Sequence, residues 1–259
     1  QISLGESIQM ALLHVGRNET AGYFYYVMEL ADDVERGRHI DPAIYAPLTL
    51  TALRNRRGRL PAEESVRCGV ELARVLAGLH RRGLVHRDIK PSNVIVVGGV
   101  TKLADIGLVS ASDTSHSFGG TEGFVPPEGP GSAQADVYSL GKVLYEIATG
   151  KDRMSFPELP DEMPTGADKK RWLELNKIIC DICEPRISKR KISTAADLAD
   201  ALRRLVPGLR NGDPVALVDG VDDVRDRALD ALGRDPVRLV PRRLLLPAAV
   251  GLGNGAFQR

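Results

Sequence analysis

The run His86-Arg87-Asp88-Ile89-Lys90-Pro91-Ser92-Asn93 places a carboxylate, an ammonium and a carboxamide within six residues of one another. A positioned carboxylate accepts or orients the proton of a reacting hydroxyl. An amide oxygen nearby is a neutral ligand for a hard divalent cation. A lysine two residues past the carboxylate brings positive charge to where negative charge builds on a transferred group. Asp88, Lys90 and Asn93 could therefore together handle a proton, offset developing charge and hold a metal. Taken one at a time, other residues have plainer readings. Asp105 before Ile106-Gly107 reads as a turn residue, Asp136 as a helix N-cap, and Met28 as core.

The elements around these residues can be read from pattern. Residues 23–30 (YFYYVMEL) form an aromatic and apolar run ahead of Asp32 and Asp33, which predicts a buried strand entering a polar connection. Residues 31–47 show no sustained period and predict a long loop. Pro61 opens a helix in its first turn, with Val66, Val70, Ala73, Ala77 and His80 at helical spacing forming one apolar face; Gly83 ends it. Residues 94–97 and 101–104 are β-rich and flank Gly98-Gly99, a hairpin signal. Residues 105–130 are rich in Ser, Thr, Gly and Pro and predict an irregular functional segment. Asp136 is expected to cap a strongly apolar helix through Val137, Leu140, Val143, Leu144 and Ile147, stopped by Gly150. A proline-rich crossing (Pro157, Pro160, Pro164) leads to a helix over about residues 171–183. Thr194 three residues before Asp197 forms a capping-box start for a helix carrying Leu198, Leu202 and Leu205. Few strands first and helices afterwards predict an α+β fold, a small strand-rich part joined to a larger helical one.

Read in order, these motifs resemble the protein kinases, and the Lys90-Pro91 pair is similar to the serine/threonine class, of the eukaryotic type found in bacteria. The resemblance implies that Asp88 handles the proton of the substrate hydroxyl, that Lys90 faces the γ-phosphate of ATP, and that Asn93 and Asp105 hold Mg2+ (or Mn2+). Ile106 stands where the family has Phe, ahead of Gly107. Residues 120–128 (GTEGFVPPE) resemble the substrate-docking loop, with Pro127 in place of Ala. There Thr121 would hydrogen-bond Asp88 and Lys90, and Glu128 would pair with an arginine of the helical lobe, Arg190 by its place. Asp136 would hold the backbone of the catalytic loop around His86 and Arg87. Met28 would be the gatekeeper of a hinge over residues 28–33. Backbone groups of Glu29 and Ala31 would meet adenine, with Ile95 packing beneath it. A phosphate on Ser112, Thr114, Ser115 or Ser117 would pair with Arg87 and order the loop.

The domain expected from this likeness covers residues 1–206, with its helical lobe over 47–206 and residues 207–259 a tail or linker. Only 22 residues precede Tyr23, and they hold neither the family's Gly-rich loop nor its lysine, so the front of the first lobe is expected to be missing. The expected activity, in a longer protein that carries those parts, is transfer of the ATP γ-phosphoryl to Ser or Thr of a protein substrate; the chain as given is expected to bind MgATP weakly and to transfer none. The alternative is an inactive kinase fold that serves as a binding or scaffold module.

Composition narrows the partners. A formal charge of +1, with 43% hydrophobic and 27% charged residues, recommends neither nucleic acid nor an anionic membrane. Arg54, Arg56, Arg57 and Arg59 read as a solvated helix end and loop. Cys68, Cys180 and Cys183 cannot build a disulfide framework, and one C-x-x-C is half of a tetrahedral zinc site, so packed thiols in a reducing, cytoplasmic setting are expected. No apolar run reaches the length that spans a bilayer, which predicts a soluble chain.

Overall fold

The computed structural model describes residues 12–18, 23–104, 110–111 and 120–209. Strands β1 (Leu12–Asn18) and β2 (Tyr23–Met28) form an antiparallel ribbon in which Asn18 faces Tyr23 and Leu12 faces Met28. The ribbon corrects the expectation of a buried strand. Tyr25 and Val27 are 45% and 46% exposed. Alternate residues of a strand share a face, and Tyr25 and Val27 leave this one largely open to solvent, the Tyr25 ring lying over Gly16 and beside the His14 ring.

The connection that follows is irregular, as expected, and Asp32 stitches it to the β4–β5 hairpin (β4 Val94–Val97, β5 Val100–Leu103). The carboxylate of Asp32 accepts from the N–H groups of Gly98 and Gly99 at 2.9 and 3.0 Å, and the backbone of Asp32 donates to Val96. Gly98 and Gly99 both have positive φ, the conformation a tight hairpin turn demands. Asp33 accepts from the N–H groups of Glu35, Arg36 and Ala46.

Helix α1 (Leu50–Arg57) is capped by the Thr49 hydroxyl. Its basic end is not simply solvated: Arg54 pairs with Glu146 at 2.9 Å and Arg57 with Glu64 at 2.8 Å. Helix α2 (Ala62–His80) starts one residue after Pro61, which stands at the N-cap rather than inside the first turn. The predicted single apolar face is too narrow. Cys68, Leu72, Val75, Leu76 and Leu79 are buried as well, because α3 (Ala133–Thr149), α4 (Gly166–Ile182), α5 (Ala195–Arg203) and β5 all pack around α2.

Helix α3 is capped by Ser132, whose hydroxyl accepts from Ala135 N–H, and Gly150 ends it in the left-handed conformation. Asp136 is therefore not the N-cap; its side chain is committed elsewhere. Helix α4 begins at Gly166, ahead of the expected start at Arg171, and buries Trp172, whose indole N–H donates to the Ala148 carbonyl. Helix α5 starts as predicted, with Thr194 accepting from Asp197 N–H at 3.1 Å. Two further short strands, β3 (Leu84–Val85) and β6 (Ser110–Ala111), pair antiparallel. The result is the expected α+β fold. Among the described residues no helix is long and apolar enough to cross a membrane.

Candidate active site

Two packed elements fix the loop over residues 86–93. From α3, the carboxylate of Asp136, 1% exposed, accepts from the backbone N–H of His86 at 2.8 Å and of Arg87 at 2.9 Å. His80, in the last turn of α2, places Nε2 2.9 Å from the same carboxylate. Arg87 sits at φ +71°, a left-handed conformation that side-chain-bearing residues rarely adopt. Bonding its N–H to a buried carboxylate holds it there against about 1–2 kcal/mol of strain. The His86 Nε2 group bonds the Ala104 carbonyl at 3.2 Å, tying the loop to the end of β5.

Asp88, 7% exposed, stands at the centre of the loop. Its Oδ1 accepts from the Thr121 hydroxyl at 2.8 Å, and its Oδ2 lies 2.7 Å from Lys90 Nζ and 3.0 Å from Asn93 Nδ2. Lys90 Nζ also donates to Thr121 Oγ1 at 3.0 Å, and Asn93 Nδ2 to the Asp88 carbonyl at 2.9 Å. Burial alone would push the Asp88 carboxyl up. The hydrogen bonds and charge of Lys90, with Thr121 and Asn93, outweigh it and hold the group below the usual carboxylate range. Asn93 is oriented by a 3-10 turn over Pro91–Asn93, and its carbonyl receives the Ala104 N–H at 2.8 Å.

A second feature lies beside this cluster. Ala31, Ile95 and Ala104 form a small buried apolar group, with Val97 against it, separate from the main core. Glu29 reaches across it to β5, where Lys102 Nζ stands 2.7 and 2.8 Å from the two carboxylate oxygens.

Comparison with known proteins matches residues 13–215 to the protein kinase domain. The chain belongs to the protein kinase domain family. Over 112 residues it is 37% identical to a probable serine/threonine-protein kinase of Clostridium perfringens, covering 39% of this chain and 16% of that protein. It is 39% identical over 133 residues to serine/threonine-protein kinase PknL of Mycobacterium tuberculosis, covering 46% of this chain and 33% of the relative. Mitogen-activated protein kinase kinase 1 of Arabidopsis thaliana is 39% identical over 124 residues, 43% of this chain and 32% of that one. The matched segments thus span between a sixth and a third of these relatives' own lengths.

Within this kinase domain the structure brings together Asp88, Lys90, Asn93 and Thr121, and separately Ala31 and Ile95. Met28 is half-exposed at the end of β2 and is not part of the Ala31–Ile95 group. Glu128 and Arg190 form a bidentate ion pair: Arg190 Nη1 bonds Glu128 Oε1, and Nη2 bonds Oε2 at 3.0 Å. Arg190 has a side chain only 1% exposed and lies over the Tyr138 ring. Asp105, Ile106 and Gly107, and the candidate phosphosites Ser112, Thr114, Ser115 and Ser117, lie outside the described residues. His80 was read only as the end of an apolar helix face. Its signal was a polar ring in a helix's last turn shortly before the His86–Asn93 run. Cys183 is buried with its thiol pushed up to about 12 by burial, Cys180 is exposed, and among the described residues no three or more His, Cys, Asp or Glu side chains converge as a metal-binding group.

Proposed function

We propose that this kinase domain transfers the γ-phosphoryl of ATP to serine or threonine hydroxyls of a protein substrate. The observation that carries the reading is the four-residue constellation at Asp88. An ionised, buried carboxylate has its two oxygens held by Thr121 on one side and by Lys90 and Asn93 on the other. A substrate hydroxyl beside Asp88 would give up its proton to that carboxylate as its oxygen forms the new bond to phosphorus and ADP departs with the old one. Lys90, anchored to both Asp88 and Thr121, is placed to offset charge on the transferred group.

The residues present fit the nucleotide and its metal. The Ala31–Ile95–Ala104 group is a dry apolar floor beside the hinge, suited to a flat aromatic base. The Asn93 side chain uses its amide N–H groups on Asp88, which leaves Oδ1 as an oxygen donor for Mg2+ or Mn2+. Asn93, with Asp105, would hold the metal, whose positive charge would offset that of the phosphates. Thr121 supports the serine/threonine preference, because its hydroxyl joins Asp88 to Lys90 in the pattern that the resemblance to the serine/threonine class implies. Phosphate on residues 112–117 ordering the loop through Arg87 belongs to the same proposal.

The test is phosphoamino-acid analysis after incubating the protein with radiolabelled MgATP and a degenerate peptide library carrying a single central Ser, Thr or Tyr. Label on Ser and Thr peptides, absent from Tyr peptides, is expected. Label confined to Tyr peptides, or nucleotide bound without any transfer, would contradict the proposal, the second outcome favouring a binding module.

A further inference from the structure

The segment that follows α3 carries an arginine whose contacts serve none of the roles assigned so far. Lys151 to Glu158 is seated on one face of α3: Lys142 Nζ donates to the Arg153 carbonyl at 3.1 Å, Tyr145 hydroxyl to the Glu158 carbonyl at 3.0 Å, and Glu146 accepts from Arg153 N–H at 3.0 Å. Lys142, Tyr145, Glu146 and Thr149 recur at helical spacing, so they share that face. From this seat the Arg153 side chain reaches toward residues 121–125. Its Nε donates to the Glu122 carbonyl at 2.8 Å, its guanidinium lies 4.8 Å from the centre of the Phe124 ring, and Nη1 stays with Glu146 and Asp152.

The neighbouring residues are shaped for this approach. Gly123 has φ +82°, and a Cβ there would stand 2.8 Å from Arg153 Cγ, 2.9 Å from Arg153 Nε and 2.6 Å from Met154 Sδ. Ser139, one turn earlier on α3, donates to the Phe124 carbonyl at 2.8 Å. Glu146 is held on its other side by Arg54 of α1 at 2.9 Å, so the carboxylate that anchors Arg153 is itself fixed. One guanidinium thus spans the backbone carbonyl of Glu122, the Phe124 ring and a buried carboxylate of α3. A planar five-donor fork can do this and an ammonium cannot.

We propose that Arg153 is a positioning residue for the protein substrate: it clamps residues 121–125 onto α3 and so sets the surface against which the peptide flanking the acceptor hydroxyl lies. This rests on the kinase reading above. Arg153 itself touches neither the nucleotide floor nor Asp88; the segment it clamps reaches Asp88 only through Thr121. Loss of the clamp therefore separates peptide recognition from nucleotide recognition.

The test uses Arg153→Met, which keeps the apolar stem, and Arg153→Lys, which keeps the charge but not the fork. Amide hydrogen exchange on the full chain is expected to rise by roughly tenfold in residues 121–125 for both variants, the scale of losing a hydrogen bond to a charged group, while α2 stays as in the wild type. Steady-state transfer to the degenerate Ser/Thr peptide library is expected to show the peptide KM up by about tenfold and the ATP KM unchanged. Exchange in residues 121–125 indistinguishable from wild type, or peptide and ATP KM rising together, would overturn the clamp. Absence of transfer by the wild type would count against the kinase reading while leaving the exchange result to decide the clamp.

Discussion

The carboxylate of Asp88 is buried yet ionised, and its neighbours explain why. Lys90, Thr121 and Asn93 all bond the charged form, so the folded carboxyl sits below the value of about 3.9 that a free aspartate has. A group whose folded value is depressed adds stability above its unfolded value and loses it as pH falls through the folded value. Urea denaturation from pH 6 down to pH 2 should therefore show a drop below about pH 4 that is smaller in Asp88→Asn; equal slopes would contradict the assignment. By the same logic the activity should show no acid limb from Asp88 near neutrality. Thr121→Val removes the hydroxyl shared by Asp88 and Lys90 and should lower kcat by about tenfold, with ATP affinity unchanged. The residues of this cluster were legible in the sequence, because their spacing reflects one short loop. Their contact with Thr121, 33 positions away, was reached through the resemblance and not through local pattern.

Elements explain what local pattern misread. Ser132 and Asp136 are both favoured N-cap types, four residues apart, and the sequence offers no local reason to prefer one. The choice is made by His86 and Arg87, whose N–H groups need a buried acceptor and find Asp136. Truncating it to Ala would leave two buried donors unpaired and should cost about 3 kcal/mol of stability, read as a lower urea midpoint. A loss near zero would mean the loop is held some other way. Gly141 on α3 lets α4 approach: a Cβ there would meet Cys183 Sγ at 2.5 Å and Ile182 Cγ1 at 2.7 Å. Gly141→Ala should destabilise by about 1–3 kcal/mol through overpacking, despite alanine's better helix propensity; a stabilised variant would contradict the packing. Strand β2 was misread as buried for a related reason. An aromatic run announces a strand, but its burial depends on what covers each face.

Across the whole molecule, long-range ties hold residues 121–128 to the helical body. Arg190, buried under Tyr138, grips Glu128 at the far end of the docking segment. Arg190→Met should destabilise by about 3 kcal/mol, because it strands a carboxylate whose partner was desolvated, and thermal unfolding would report it. The pairing was legible only from order along the chain. Charge type and exposure could not single out Arg190 among its neighbours Arg186, Lys189 and Lys191. The α+β architecture was legible from strand and helix periods, whereas the burial of α2 on all but the stripe of Glu63, Arg67, Arg74 and Gly78 was not, since packing by three helices widens the buried surface beyond a single face. What all these ties serve is the placement of Asp88, and one measurement tests that most directly: single-turnover transfer from radiolabelled MgATP to a Ser/Thr peptide by Asp88→Asn beside wild type, with nucleotide affinity measured in parallel. Loss of transfer by about a thousandfold at unchanged ATP affinity is predicted; transfer at the wild-type rate, or an equal loss of nucleotide binding, would contradict it.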